Sequence, residues 1–520
     1  MSKAAKAVVA VVVLGGVAWA GASWYSGKRV EDEVRAYVDK VNAQSPVVTL
    51  AISDYQRGWF TSQVKYTFTA KSTLVPDMID EGDVLAVDSQ VQHGPFPFAR
   101  LSRGEFAPVM AASESVLQNT GLAIQWFAAA KGQQPMRERT SVSFGGDIDS
   151  RVDFVPLSFT RDGVTLSSQA GWLTMSTDRD LTHFTMAGEF PEMRVLDGTT
   201  GGDRTALRIE NTTFDGESRL GRFGAYIGDA RFAIGNLFLE AGGGPMGGTN
   251  VAFRDYVIET SVSEDDTNLS LQVNYGIGNM RVMDVDLGQL QVALRLGNLN
   301  GEAVRGIVKR YQEQMPAIMA ESAQPDADAL PPATAAFFAE SIQALLPGNP
   351  VLALDPVRVS VPGGDSSLRL NVTGQQPAEP QPNDPLAYVR TLDGSLVVSR
   401  GMVLDISKRF MELQAKAMGQ AVPDADKMAE QNYAFMRQMA LSSGYVVEEG
   451  DNLVVRVSYA DGQARLNGDN VELDELLAPM GINPAQQYGA EPGDDDDAFL
   501  KELERLENES ISPDAPTSRP

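Results

Sequence analysis

Residues 268–276 read Asn-Leu-Ser-Leu-Gln-Val-Asn-Tyr-Gly, with an apolar side chain at every second position from Leu269 to Tyr275. The same period of two recurs at 290–296, 368–372 and 453–459. Because successive side chains of a β-strand point to opposite faces, each segment would present one apolar and one polar face. This pattern predicts a mostly antiparallel β-sheet that is covered on one side.

Further runs of strand-like composition extend this interpretation over most of the chain. They lie near 62–69, 141–160, 164–175, 181–190, 206–214, 225–240 and 251–260. Asp-Gly steps suit the left-handed residues of tight hairpin turns. They occur at Asp162-Gly163, Asp393-Gly394 and Asp461-Gly462, where we therefore expect turns.

Helical spacing of apolar residues interrupts the strands in two places. The first run is Val304, Ile307, Val308, Tyr311, Met315 and Ile318, and the second is Ile406, Phe410, Leu413 and Ala417. A partner helix is expected over about 424–441, with Gly444 as its stop signal. The predicted fold class is therefore mainly β with helices (α+β).

Composition excludes several kinds of function. The 520-residue chain has 69 acidic and 43 basic residues, a net charge of −26, and such a surface repels the phosphates of nucleic acid. It has no cysteine and two histidines, so disulfides, thiolate nucleophiles and Cys- or His-based metal sites lack their ligands. Nucleotide-binding and hydrolase motifs are also absent from the sequence. We therefore predict no cofactor, no metal, no catalytic residue and no enzymatic activity.

The N-terminal segment 7–25 is 19 residues long, uncharged and flanked by lysines and arginines. As a helix it would span roughly 28 Å, which is close to the hydrocarbon thickness of a bilayer. Trp19, Trp24 and Tyr25 suit the far membrane interface. A transmembrane anchor is therefore expected, with a cleaved signal peptide as the competing interpretation. The flanking charges leave the orientation ambiguous, although the order of a signal anchor favours export.

At this length two or three folded units are expected. The predicted organisation is a short cytoplasmic N-terminus (1–6), a transmembrane anchor (7–25), a stalk helix (26–45), a β-rich domain (46–298), a helical segment with a Pro/Asp linker (299–346), a second β part with inserted helices at 404–442 (347–475) and an acidic disordered tail (476–520). Linkers are expected at 324–332 and 375–385, where Pro and Asp accumulate.

Several motifs follow the hydrophobic segment in a definite order. They are Trp24-Tyr25-Ser26-Gly27-Lys28, Tyr55-Gln56-Arg57-Gly58-Trp59-Phe60-Thr61-Ser62, His93-Gly94-Pro95-Phe96-Pro97, Leu294-Arg295-Leu296-Gly297-Asn298-Leu299-Asn300 and a stretch with Asp461-Gly462 and Asn467-Gly468. This order resembles the YdgA-like proteins of Gram-negative bacteria, a family of unknown function, over about residues 5–475. The resemblance implies an envelope protein anchored in the inner membrane, with its large domain in the periplasm, and it supplies no catalytic residue.

The candidate site residues are the members of these motifs: Tyr55, Arg57, Gly58, His93, Gly94, Pro95, Phe96 and Asn298. We interpret them as structural. Tyr55 and Gly58 suit a bulged strand with a tight turn, Arg57 suits an ion pair, and two prolines restrict the backbone at 94–97.

Three functional classes remain open from the sequence. The domain could bind or handle a lipid or other amphiphile on an accessible apolar sheet face, or it could be a structural module that binds another envelope protein. The third class is an enzyme that uses carboxylates alone. The methionine-rich helices between Asp405 and Leu441 are expected to cover the apolar face, either as a closed core or as a cover over a groove. A face left open over a few hundred Å² would favour the amphiphile.

Overall fold

A computed structural model describes residues 3–45, 48–71, 80–161, 163–200, 203–244, 247–283, 285–322, 331–379, 385–418 and 424–472. The predicted acidic tail lies outside the described residues, as do residues 324–330 and 380–384 of the two predicted linkers.

The described residues form one antiparallel sheet with helices, which confirms the predicted fold class. The α-helices are α1 (Lys3–Gln44), α2 (Phe98–Leu101), α3 (Ala123–Ala129), α4 (Gly301–Ser322), α5 (Pro332–Leu345), α6 (Arg400–Met418) and α7 (Ala425–Ser442), and short 3-10 helices span Leu346–Gly348 and Pro385–Tyr388. The strands are β1 (Val48–Arg57), β2 (Thr61–Ala70), β3 (Val84–His93), β4 (Ala111–Leu117), β5 (Met136–Val142), β6 (Ile148–Phe154), β7 (Leu157–Arg161), β8 (Val164–Ser168), β9 (Gly171–Thr177), β10 (His183–Thr200), β11 (Asp203–Leu220), β12 (Tyr226–Gly244), β13 (Gly247–Glu264), β14 (Asn268–Val282), β15 (Val285–Asn300), β16 (Val351–Val361), β17 (Gly364–Gly374), β18 (Val389–Ser399), β19 (Val447–Glu449), β20 (Asn452–Ala460), β21 (Gln463–Leu466) and β22 (Asp469–Val471).

Helix α1 is a single helix that contains both the predicted anchor and the predicted stalk. Its side chains are described from Ala22 onward. Among the described residues, no helix is both long and apolar enough to span a bilayer.

Sheet order follows chain order almost throughout. Strands β1 to β6 pair in sequence, β6 pairs with β9, and β9 pairs with β10. The ladder then continues from β10 to β18 and ends at β20, β21 and β22. The β7–β8 hairpin pairs with the distal half of β10. Short antiparallel connections explain this order, because neighbouring strands in the chain can pair through tight turns.

The helical segment after β15 does not interrupt the sheet, because β15 pairs directly with β16 on its far side. Helices α4 and α5 pack against each other beside β14 and β15. Helix α6 packs against β15 to β18, and α7 packs against α6. The strands of both predicted β parts therefore belong to one sheet.

A line of interrupted pairing crosses five long strands at the same height. In each of the strands β10 to β14 the pairing register skips one residue; these are Pro191, Asn211, Gly235, Asp255 and Gly278. Asn211 and Asp255 have φ values of +56° and +51°, which polar residues with short side chains tolerate. A Cβ on Gly235 would lie 3.0 Å from Asn211 Cβ, and one on Gly278 would lie 2.9 Å from Asp255 Cβ. The glycines therefore leave room for their left-handed neighbours.

The apolar alternation changes phase at this line. In β13, Phe253 lies before the left-handed Asp255 and Tyr256 lies after it, an odd spacing that would place them on opposite faces of a regular strand. A left-handed residue interrupts the pleat as a bulge does, so the alternation can restart on the same face.

Three elements differ from the sequence-based expectation. The strand expected near 141–160 is the end of β5 followed by β6 and β7, and the strand expected near 164–175 is β8 and β9. The turn expected at Asp393-Gly394 is wrong, because both residues lie inside β18 and pair with residues of β17 and β20. Gly394 faces the Val457 side chain there, so this glycine makes room for a neighbour instead of making a turn. Asp461 and Gly462 have φ values of +51° and +76° and do form the turn between β20 and β21.

Buried apolar clusters lie near the first helix and near the β11–β12 turn. One cluster joins α1 to the first strands, with Val30, Val64, Val91, Met110 and Ala111 buried together. A second is built around Val87, Leu117 and Ala123, and a third around Phe223, Ile227 and Leu269.

Candidate functional site: a cavity beneath the first helix

Helix α1 contacts the sheet closely at Ser23 and Gly27. The Ser23 hydroxyl donates a hydrogen bond of 2.7 Å to the Gly94 carbonyl oxygen. A Cβ on Gly27 would lie 2.4 Å from the ring atoms Cε1 and Nδ1 of His93. Atoms do not approach this closely, so the helix can dock here only with glycine at position 27.

His93 is buried beneath this contact and is 2% exposed. Its Nδ1 lies 3.2 Å from the Trp59 carbonyl oxygen, which can only accept, so Nδ1 carries the proton. Nε2 then accepts from the Ser62 hydroxyl at 2.8 Å. Burial lowers the pKa of His93, and the imidazole is therefore neutral at pH 7.

The Ser62–His93 pair has the spacing of a nucleophile and its general base. However, Ser62 is 1% exposed, and the imidazole is oriented by a backbone carbonyl rather than by a carboxylate. Neither residue lines the cavity described below. The pair therefore fits a buried polar contact that satisfies two hydrogen-bonding groups.

Two loops hold the other motif residues against the same part of α1. A Cβ on Gly94 would lie 1.8 Å from the Val109 carbonyl oxygen, so only glycine fits between the strand end and the following loop. Arg57 forms an ion pair of 3.4 Å with Glu31 of α1. Gly58 donates its N–H to the Thr61 carbonyl at 2.8 Å and closes the β1–β2 turn.

The motif residues of the first hundred positions thus converge on one joint, where α1 meets the sheet. Tyr55 belongs to it as well, since Arg35 of α1 lies over its ring at 5.7 Å. Pro95 and Phe96 continue from Gly94 into the adjoining loop, and the Gly94-Pro95 peptide is cis. Asn298 does not join them. It lies in a bulge near the end of β15, with φ of +53°.

A cavity of about 480 Å³ opens below this joint, between α1 and the inner face of β1 to β6 and β9. Val30, Val34 and Val38 form its helix wall, and Leu85 and Val87 are among the apolar residues of its sheet wall. Its size falls in the range of sites that take small-molecule ligands. The sequence does not disclose this cavity, because seven strands and a helix assemble it.

A polar band crosses the apolar floor of the cavity. Ser115 donates to Ser89 at 3.0 Å, and the pairing of β4 with β5 places Glu138 next to Ser115. Ser150 donates to Glu138 at 2.8 Å, and Thr140 lies 2.7 Å from Ser150. The cavity therefore combines apolar walls with several hydroxyl groups and the Glu138 carboxylate, while Glu33, Lys40 and Arg179 add charged groups to its lining.

Two phenols border this band. Burial raises the pKa of Tyr37, and the Glu138 charge raises it further. Burial is also the largest cause that raises the pKa of Tyr66, followed by Tyr55 and Glu138. Both phenols therefore stay protonated at neutral pH and can donate hydrogen bonds.

The cavity continues into the apolar face of the large sheet. Met175 lines the cavity, and Met186 pairs with it on the next strand. Ring contacts follow the same face from Phe154 to Phe190 at 5.8 Å and on to Phe214 at 6.5 Å. A second series of ring contacts, between Phe232, Tyr256 and Tyr275, carries the face across β12, β13 and β14.

Apolar residues remain in register from there to β20. Leu294 pairs with Val273 on one side and Leu354 on the other, and Leu354 pairs with Leu370. Many side chains in this row are more than a third exposed; they include Met186, Phe232, Leu352, Leu368 and Leu396. The long sheet therefore presents an apolar face that is only partly covered in the described part of the chain.

The α6–α7 pair does not close this face in the way the sequence suggested. Met411 and Tyr433 are buried, but Phe410 and Phe435 are exposed. Met418, Met428 and Met439 are exposed as well. Much of the methionine-rich surface therefore faces outward.

The model of the family described as "Bacterial protein of unknown function (DUF945)" matches residues 1–474. The chain belongs to this family. It is 26% identical to Protein YdgA of Escherichia coli (strain K12) over 512 residues, which cover 95% of this chain and 99% of that protein. It is 22% identical to the uncharacterised Escherichia coli protein YihF over 92% of this chain and 98% of that protein. An uncharacterised protein of Haemophilus influenzae is 22% identical over 27% of this chain and 39% of its own length. No solved structure matches.

Membership of this family confirms the resemblance noted from the motifs. The family motifs of the first hundred positions coincide with the joint above the cavity, whereas sequence reasoning missed the cavity residues Glu138, Thr140 and Ser150. One signal was available, since polar residues occupy alternate positions 138 and 140 between the apolar residues 136 and 142. Such a run indicates a strand whose inner face is partly polar.

Proposed function

We propose that this protein is an envelope protein, anchored in the inner membrane by residues 7–25, whose periplasmic domain binds the hydrocarbon part of an amphiphile. The observation that carries the proposal is the continuity of the apolar cavity beneath α1 with the partly exposed apolar face of the long strands. An ordinary core would be closed on both sides. An elongated apolar surface with one polar band suits a long chain with a polar end.

The polar band gives the ligand a preferred position. Ser89, Ser115, Thr140 and Ser150 supply hydroxyl groups, and the protonated phenol of Tyr37 adds a donor. The Glu138 carboxylate disfavours an anionic group beside it. We infer that neutral hydroxyl or amide groups of the amphiphile lie at the band, while its hydrocarbon lies along the valines and leucines.

Filling the cavity should abolish binding. Thr140→Trp places an indole in the cavity, whereas Ser141→Trp places one on the opposite face of the same strand. Full-length protein in detergent micelles is titrated with cis-parinaryl alcohol, the neutral fluorescent alcohol derived from cis-parinaric acid, and melting temperatures are measured alongside. We expect Thr140→Trp to weaken binding at least tenfold and Ser141→Trp to leave it unchanged. Equal binding by both variants would contradict the assignment of the cavity.

The location has a separate test. The uncharged segment and the resemblance to YdgA-like envelope proteins support an uncleaved anchor with an exported domain. Full-length chain should stay in the membrane after alkaline carbonate washing, and an alkaline phosphatase fusion after residue 472 should be active. A soluble product that begins near Gly21 or Ser23 would show cleavage instead.

A second candidate function is a module that binds another envelope protein. The exposed phenylalanines and methionines of α6 and α7 favour it, because helix pairs with an apolar outer surface are common protein-binding elements. Loss of a co-purifying protein in Phe410→Ser/Phe435→Ser, with cis-parinaryl alcohol binding intact, would support this role.

A further inference from the structure

Seven aromatic side chains around the joint are exposed to solvent. We name them the collar: Trp24, Tyr25, Trp59, Phe60, Phe96, Phe98 and Phe106. Phe98, Phe106 and Trp59 are 77%, 70% and 67% exposed, which is unusual for such large apolar groups. A local concentration of exposed aromatic residues indicates a surface that binds something apolar.

The collar residues lie together because their segments contact one another. Trp59 and Phe60 form the β1–β2 turn, whose carbonyl groups bind the His93 side chain and main chain. Phe96, Phe98 and Phe106 belong to the loop that follows Gly94, and Val109 ties its far end back to the Pro95 carbonyl at 3.0 Å.

Helix α1 passes through the middle of these loops. Ser23 and Gly27 face the sheet at Gly94 and His93, while Trp24 and Tyr25 are exposed between them. The helix then follows β1 to its far end, where Asn42 binds the Leu50 backbone. The N-terminal part of α1 precedes the collar residues Trp24 and Tyr25. This part comprises residues 3–22, roughly 30 Å of helix, and contains most of the uncharged segment.

The charge of the collar segments differs from that of the whole chain. Residues 24–30, 58–61 and 94–110 contain four basic residues and one acidic residue, although the chain has a net charge of −26. The acidic residue is Glu105, which Arg100 and Arg103 bind at 2.9 and 2.8 Å. Anionic lipid headgroups attract such a locally basic surface, whereas the rest of the domain is repelled.

We propose that the collar inserts into the headgroup region of the bilayer and seats the domain on the membrane surface where α1 emerges. Trp24, Tyr25 and Trp59 suit this interface because their rings are apolar while the phenol and indole keep a polar contact, and the four phenylalanines add apolar area. The seat rests on the proposed anchor, and it adds a second, peripheral contact that is independent of ligand binding. It also places the cavity close to the lipid, because the cavity lining begins at Val30, about one helical turn beyond Gly27.

The cysteine-free sequence allows a direct test with single spin labels. Full-length Phe98→Cys and Phe106→Cys variants are labelled with a nitroxide and reconstituted in vesicles of phosphatidylethanolamine and phosphatidylglycerol. Phe410→Cys and Phe435→Cys are matched controls, since those side chains are 65% and 67% exposed on α6 and α7. Collision rates with oxygen, which concentrates in lipid, and with a water-soluble nickel chelate report the depth of each label.

We expect oxygen collisions to exceed nickel collisions at positions 98 and 106, and the reverse at 410 and 435. If the collar labels had the same aqueous profile as the controls, the proposal that the collar inserts into the headgroup region would be wrong. A label at Val11 separates this failure from failure of the anchor. If Val11 is in hydrocarbon and positions 98 and 106 are in water, the anchor stands and the seat is wrong. If Val11 is also in water, both are wrong.

Discussion

The contact between Gly27 and His93 makes Gly27→Ala an informative substitution. In an unrestrained helix this change stabilises by about 1 kcal/mol, because alanine loses less backbone entropy. Here the new methyl group would lie 2.4 Å from a buried imidazole that Ser62 and Trp59 hold in place. Relief requires a shift of roughly 1 Å, and overpacking of this kind costs about 1–3 kcal/mol.

The steric cost offsets or exceeds the helix gain, so we expect a net loss of up to about 2 kcal/mol, or up to roughly 4–8 °C in melting temperature. Gly306→Ala is the matched control, because a Cβ there meets nothing within 4 Å in α4. It should raise stability by about 0.5–1 kcal/mol. Thermal unfolding followed by circular dichroism measures both variants.

His93→Ala removes the ring that the new methyl group would strike. The double variant Gly27→Ala/His93→Ala should therefore lose at least about 1 kcal/mol less than the sum of its single variants. Strict additivity, or a Gly27→Ala variant as stable as Gly306→Ala, would show that α1 does not dock on His93.

Three further outcomes are expected. Folding lowers the pKa of His93 below its ordinary 6.5, so the unfolded chain binds a proton before the folded chain does as the pH falls. The stability that His93 contributes is therefore complete above pH 6.5 and should fall as the pH drops toward the folded pKa. Melting curves at successive pH values should show this loss in His183→Gln but not in His93→Gln. Gly235→Ala should lower the free energy of unfolding by about 1 kcal/mol because its Cβ meets Asn211. Gly276→Ala in β14 is the control, because its Cβ meets nothing within 4 Å and should not destabilise the protein. A stabilised Gly235→Ala variant would contradict the interpretation of the line of interrupted pairing. Arg57→Ala should cost less than about 1 kcal/mol in urea unfolding, since its ion pair with Glu31 is partly exposed, and a larger loss would assign Arg57 a greater role.

Much of the fold was predictable because period-two alternation is a local property of the chain. The segments 269–275, 290–296, 368–372 and 453–459 all lie in strands of the sheet. The strands that the sequence reasoning missed, such as β3 and β4, carry polar residues on their inner faces and so lack clean alternation. Helix α7 begins only one residue after the expected position 424. Its limits were predictable because apolar residues at helical spacing and the stop signal Gly444 mark them.

The sequence by itself determined the class of the fold, the kind of charge on its surface and the absence of cysteine chemistry, because these depend on composition and on spacing over a few residues. Only the tertiary structure decided which segments meet. Tyr55, Gly58 and His93 are far from Gly27 in the chain, yet they form one joint because β-pairing and helix docking bring them together. The cavity and the line from Pro191 to Gly278 arise in the same way. A single strand carries no record of the neighbour whose side chain, or missing side chain, completes such a feature.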